Sequence, residues 1–286
     1  MTTLETKHLP VASTRVPVEL VNHETTNIED FVSVEEPLEI RLAYGPVDAR
    51  LEQSISITMR TPGNDLELTQ GFLFGEGIVH STSDVLGVEH CGPPSPDKGI
   101  RNVVRIELSE TAQFNPDALL RHTFTSSSCG ICGKTSLDAV KAIVPDYKSK
   151  GFTVNGSQLK ALPEQLLARQ TEFVRTGGLH ASASFDRTGQ IKRIREDVGR
   201  HNALDKLVGS YLDSGIDTLR ERGLLLSGRA SFELVQKAAV AGIPLIASIG
   251  PPSSLAIELA SSHEITLVGF LKADRFNVYS GGAIEA

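Results

Sequence analysis

The sequence predicts an α/β protein, a C-terminal α/β domain fronted by a smaller α+β domain. Three observations carry that expectation. In the last third, three short apolar runs alternate with two helical segments in a βαβαβ order. From Val16 to about Leu108, short segments alternating apolar with polar residues dominate instead. And 286 residues at 40% apolar and 22% charged content suffice for one large domain or two modest ones with sizeable cores. The expected layout is a loose tail at 1–15, a small domain at 16–125 and the α/β domain at 126–286, with 121–134 a mobile loop.

Each element has a local reason. Pro37 to Leu42 and Ser54 to Met59 alternate as half-buried strands do, and Asn102 to Leu108 is a third strand. Arg60 to Asp65 is turn chemistry leading into a helix from Leu66 to Ile78, closed by Gly77. Cys91 to Gly99 holds three prolines and is a loop. Ser136 to Val144 is helical until Pro145 stops it, and Pro163 to Ala168 is a second short helix. Gly223 to Ser227, Ile243 to Ile249 and Ile265 to Leu271 are buried strands. Between them lie helices from Phe232 to Ala241, ended by Gly242, and from Leu255 to Ala260, capped by Ser253 and Ser254. Such an order requires a parallel sheet covered by helices.

Composition excludes several functions. A net charge of −7 argues against a general nucleic-acid binder, and the absence of Trp leaves no stacking platform for single strands. No apolar run approaches 18 residues and the N-terminus lacks the apolar core of a signal peptide, so a soluble cytoplasmic protein with no membrane partner is expected.

Chemistry concentrates at Cys129 and Cys132, in Ser-Ser-Ser-Cys-Gly-Ile-Cys-Gly-Lys (126–134). Cys129 precedes the expected helix start, where unpaired N–H groups and the macrodipole favour a thiolate, and Lys134 adds positive charge. Gly130 and Gly133 leave the backbone open to a bulky partner. Other readings stay open. With Cys91 and His90 the pair could form a Cys₃His zinc set, although no second Cys-x-x-Cys exists. It could exchange disulfides as thioredoxins do, although no strand precedes it. Two inert buried cysteines fit Gly- and Ser-rich surroundings poorly. The remaining reading is sulfur or acyl carriage on a mobile loop, with a nucleophile, open access and a neighbouring thiol to assist release.

A second constellation follows the three C-terminal strands. The turns at 227–231, 248–254 and 270–275 should all lie at the carboxyl edge of a parallel sheet, where open α/β folds bind ligands. Ser227, Arg229, Lys272 and Arg275 suit an anion, and two of the turns lead into helix N-termini. No Gly-x-Gly-x-x-Gly or Walker sequence is present. Upstream, Thr176-Gly-Gly-Leu-His180 and Arg195 to Lys206 add His180 and His201 as candidate ligand contacts. Asp197, His201 and Asp205 are spaced to share one helix face.

In order along the chain, five sets of residues together resemble the FdhD/NarQ family, the formate dehydrogenase accessory sulfurtransferases. They are Met59 to Gly63 with Gly71-Phe-Leu and Glu76-Gly-Ile; Ser128 to Gly133; Thr176 to Ala181; Glu196 to His201 with Ala203 to Lys206; and Ser227 to Ser231 with Val235 to Ala238. The Leu267 to Phe270 strand completes a likeness over roughly residues 15 to 280. The resemblance implies a three-layer C-terminal domain like the cytidine-deaminase fold. The deaminase signature is absent, since His180 is followed by Ala181 and Ser182 and the Cys pair comes first, so zinc-dependent deamination is not implied. It implies a persulfide-carrying sulfurtransferase in which Cys129 is loaded by a cysteine desulfurase and Cys132 assists. The acceptor it implies is the molybdenum (or tungsten) bis-pterin guanine dinucleotide, carried as cargo with no permanent cofactor, before insertion into formate dehydrogenase. It places a cofactor-binding segment on Phe270, Leu271, Lys272, Ala273, Asp274 and Arg275. The oligomeric state stays open, and the ligand face with its mobile loop would suit a symmetric homodimer.

Overall fold

The computed structural model describes residues 12–23, 25–96, 98–112, 114, 144 and 151–285. The expected helix at Ser136 to Val144, the boundary at 125/126 and the Cys-x-x-Cys loop lie outside the described residues, Val144 apart.

Two strands open the chain as an exposed antiparallel ribbon, β1 (Ser13–Val21) and β2 (Thr25–Ser33). Residues 13–15 therefore belong to a strand rather than to the expected tail. Then come β3 (Glu36–Tyr44), β4 (Leu51–Arg60), helix α1 (Asp65–Gly75), β5 (Val85–Cys91) and β6 (Val103–Leu108). They form a four-stranded sheet in the order β4-β3-β6-β5. The alternation in β3 buries Leu38, Ile40 and Leu42 on one face.

The C-terminal part holds β7 (Val154–Asn155), α2 (Gly156–Leu167), α3 (Thr171–Thr176), β8 (His180–Phe185), β9 (Ile191–Asp197) and α4 (Arg200–Leu212). After these come β10 (Gly223–Leu226), α5 (Phe232–Val240), β11 (Leu245–Ser248), α6 (Ser254–Ser262), β12 (Thr266–Gly269), β13 (Asn277–Ser280) and β14 (Ile284–Glu285). Six of the strands make one sheet, β13-β12-β11-β10-β8-β9. Its centre, β10, β11 and β12, is parallel as the βαβαβ order requires. The flanking strands, which that order does not cover, are antiparallel. β8 and β9 form a hairpin antiparallel to each other and β8 to β10, and β13 returns antiparallel to β12. The connections at 186–190 and 270–276 are too short for the crossover that a parallel neighbour needs.

Helices cover both faces of this sheet. Leu224, Leu226, Ile246 and Leu267 pack with Leu204 and Leu207 of α4, Leu234 and Val235 of α5, and Leu259 of α6. Leu225, Leu245, Ala247 and Val268 point the other way, onto Leu159, Leu162 and Leu166 of α2. α2 begins seven residues before the expected start at Pro163 because Asn155 caps it: its side chain accepts from Ser157 N (2.8 Å) and its N–H donates to Gln158 Oε1 (3.0 Å). Pro163 sits inside the helix.

The first core also takes in Ile40, Leu42, Leu73, Phe74, Ile106 and Leu108, so it runs from the four-stranded sheet into the six-stranded one. The join is a crossing of α1 over α4. A β-carbon on Gly71 would stand 1.8 Å from Asp205 O, and one on Gly209 would stand 1.8 Å from Glu67 O. The two backbones touch, which only glycine at both positions permits. Arg195 clamps the same crossing with a two-pronged pair to Glu67 (2.5 and 2.7 Å). Among the described residues, no helix is long and apolar enough to cross a membrane.

Candidate functional site

The three turns after β10, β11 and β12 are stitched into one surface by their own backbones. Gly250 N donates to Gly228 O (2.9 Å), Ala230 N to Pro251 O (3.2 Å) and Phe270 N to Gly250 O (3.1 Å). Gly250 lets the turns approach this closely, since a β-carbon there would sit 3.0 Å from the Arg229 backbone. The last turn closes on itself through Lys272 N to Arg275 O (2.8 Å). The expected carboxyl edge is thus a continuous ledge.

The residues expected on this ledge divide. Arg229, Lys272, Ala273, Asp274 and Arg275 are exposed. Phe270 is 41% exposed and takes a left-handed φ of 52°, while Leu271 is 1% exposed in the second core and anchors the turn instead of lining it. Ser227 turns back, its hydroxyl accepting from Ala181 N (2.8 Å) and its N–H donating to Ala181 O (3.0 Å). That ties the first turn to β8, where His180 lies against Gly228, 3.4 Å from where a β-carbon there would stand.

His180 and His201 come together, with Arg200 and Arg229 beside them. His180 is half-buried. Burial, then the charges of Arg200, His201 and Arg229, hold its imidazole below the usual histidine range, and Asp197 pulls weakly the other way. His201 Nε2 lies 2.8 Å from Glu233 Oε2. The Glu233 carboxyl is held low, first by that contact and against burial. Arg200, Arg229, Lys272 and Arg275 form no ion pair among the described residues. Sequence reasoning missed Arg200 and Glu233 as members of the cluster. Arg200 stood in plain sight beside His201, but Glu233 joins through α5, which no local pattern reveals.

Helix starts complete the ledge. Ser253 Oγ caps α6 by accepting from Ala256 N (3.3 Å). Ser231, in the same position before α5, does not cap. Its hydroxyl is shut off from solvent and has no hydrogen-bond partner among the described residues. An unmet hydroxyl, free helix N–H groups and unpaired guanidinium groups are the donor set that phosphate oxygens satisfy.

Asp197 corrects the expected helix face. It ends β9 instead of lying on α4, and only His201 and Asp205 are helical. Its buried carboxylate accepts from Gly199 N (2.8 Å), Thr61 N (3.2 Å) and Asn202 Nδ2 (3.2 Å), and pairs with Lys206 Nζ at 2.6 Å. Asp205 points inward to Lys237 (2.9 Å), where burial disfavours the ammonium but Asp205 and Glu76 outweigh it. Among the described residues no three His, Cys, Asp or Glu side chains converge as a metal set. Cys129 and Cys132 lie outside the described residues. Cys91 ends β5 as a free thiol that burial pushes up in pKa.

Comparison with known proteins agrees with the segments noted in the sequence. The model of the FdhD/NarQ family matches residues 33–284. The chain is 45% identical over 255 residues to the sulfur carrier protein FdhD of Streptomyces coelicolor, covering 88% of each chain. It is 47% identical over 256 residues to the protein of that name from Mycobacterium tuberculosis, covering 87% of this chain and 89% of that one. Its fold matches, at a TM-score of 0.70 and 22% identity, a crystal structure from Desulfotalea psychrophila described as a formate dehydrogenase accessory protein, over 95% of this chain and 98% of that one. On the extent of the family match and the identity to these relatives, the chain belongs to the FdhD/NarQ family.

Proposed function

We propose that this chain is a cytoplasmic sulfurtransferase that carries sulfur to a pyrophosphate-bearing molybdenum cofactor for formate dehydrogenase. The Cys129 thiolate attacks the terminal sulfur of a cysteine desulfurase persulfide. The desulfurase thiolate leaves and Cys129 becomes the persulfide. Cys132 assists its release to the molybdenum (or tungsten) bis-pterin guanine dinucleotide, which is held as cargo on a cytidine-deaminase-like domain. The names of the relatives support the sulfur half of this reading. The observation that carries the cargo half is the stitched ledge, where among the described residues Arg200, Arg229, Lys272 and Arg275 form no ion pair. Uncompensated cations beside an unmet Ser231 hydroxyl suit the pyrophosphates of a guanine dinucleotide. Phe270 offers an exposed ring at the same ledge.

The test mixes persulfide-loaded protein with unsulfurated cofactor and apo formate dehydrogenase. Sulfane should leave Cys129 as formate oxidation appears, and the Cys129→Ala, Cys132→Ala double variant should give none. Equal activity from that double variant would exclude sulfur carriage and favour a cofactor chaperone.

A further inference from the structure

His180 sits where several elements meet. Its backbone pairs with Asp197 across β8 and β9, two residues beyond the last rung with β10. Three residues past Asp197, Arg200 and then His201 begin α4. Opposite them Gly228 and Arg229 follow β10, with the imidazole against Gly228. Among the described residues, the charged groups that act on His180 are Arg200 and His201 from α4, Arg229 from the first turn and Asp197 from β9. Asp197 is already saturated by Lys206, Gly199, Thr61 and Asn202. His201 Nε2 is already taken up by Glu233 of α5, 2.8 Å away. Among the described residues, neither Arg200 nor Arg229 forms an ion pair.

We propose that Arg200 and His180 complete an anion site with His201 and Arg229, and that His180 takes up a proton from solvent when a pyrophosphate diester enters it. This rests on the cargo reading above. In the unliganded protein half-burial, then the charges around it, disfavour the protonated imidazole. Two phosphate charges reverse the local field, so the protonated ring becomes the favoured form. One N–H bond forms at the ring as the bond to that proton in hydronium or the buffer acid breaks, and no bond of the ligand changes. Binding then tightens as pH falls, by up to about tenfold per unit between the liganded and free titrations of His180. The proton also selects a charged linkage over a neutral analogue of the same shape.

The probe is P1,P2-di(guanosine-5′) pyrophosphate, whose diester phosphates keep a constant charge across neutral pH, so any proton taken up belongs to the protein. Titration calorimetry of the full chain at neutral pH, in two buffers of different ionisation enthalpy, should show uptake of about one proton. His180→Asn should bind with no uptake and a flat pH dependence, and Arg200→Ala should bind about tenfold more weakly. In wild type, the His180 ring carbon resonances should move to their protonated positions on adding the probe, which needs no variant to fold. Binding without proton uptake, or uptake that persists in His180→Asn, overturns the proposal and leaves the cargo reading intact. No binding at all by wild type overturns both.

Discussion

Two sets of charges lie close together and behave in opposite ways. Beneath the ledge, Arg60 with Asp65, Lys206 with Asp197 and Lys237 with Asp205 are buried and paired. On the ledge, Arg229, Lys272 and Arg275 are exposed and form no ion pair among the described residues. A buried charge that loses its partner is costly, so the lower set ties α1, α4, α5 and the turn at Thr61 into one frame. An exposed charge costs nothing to leave unmatched, so the upper set can wait for an anion. The difference separates residues that hold the ledge in place from residues that work on it.

The comparison can be broken at either level. The largest effect belongs to Lys206→Met, which leaves Asp197 buried without its counter-ion and should lower unfolding free energy by about 3–5 kcal/mol in urea titration. A loss inside about 0.5 kcal/mol would mean the lower charges are not a frame. Gly209→Ala comes next, because its β-carbon would meet the Glu67 backbone at 1.8 Å. We expect about 3 kcal/mol lost, visible as a marked fall in Tm. Arg229→Ala and Lys272→Ala should leave stability within about 0.5 kcal/mol, yet weaken binding of the dinucleoside pyrophosphate and reduce its salt dependence. Stability loss without affinity loss would move these residues into the frame. The smallest effect is the stability slope of the unliganded protein. His180 is held low when folded, so below about pH 6.5 the unfolded chain binds more protons and stability falls. His180→Asn should flatten that slope in denaturation series from pH 7 to 5, and an unchanged slope would contradict the neutral imidazole.

Much of this was legible in the sequence because period and turn chemistry are local. The strand at Pro37 to Leu42, the three apolar runs of the parallel centre and the Ser253 cap needed only neighbouring residues. The ledge followed from them, since parallel strands send their turns to one edge. What was not legible depended on distant partners. The ribbon β1–β2 has almost no buried face; Phe31 is instead held between Arg15 and Arg175, 5.1 and 3.9 Å from its ring centre. Asp197, expected on the helix face of His201 and Asp205, ends β9 instead, and nothing local reveals that Lys237, 32 residues on, receives Asp205. Pro163 marked a helix start by rule, whereas the Asn155 capping box set the true one.

Sulfur carriage on Cys129 is the central claim, and loading tests it most directly. The full chain, with Cys129 and Cys132 singly replaced by alanine, is incubated with a cysteine desulfurase and cysteine and mapped by mass spectrometry. Wild type and Cys132→Ala should gain one sulfane on Cys129, and Cys129→Ala should gain none. One bound sulfane retained on Cys129→Ala would contradict the account.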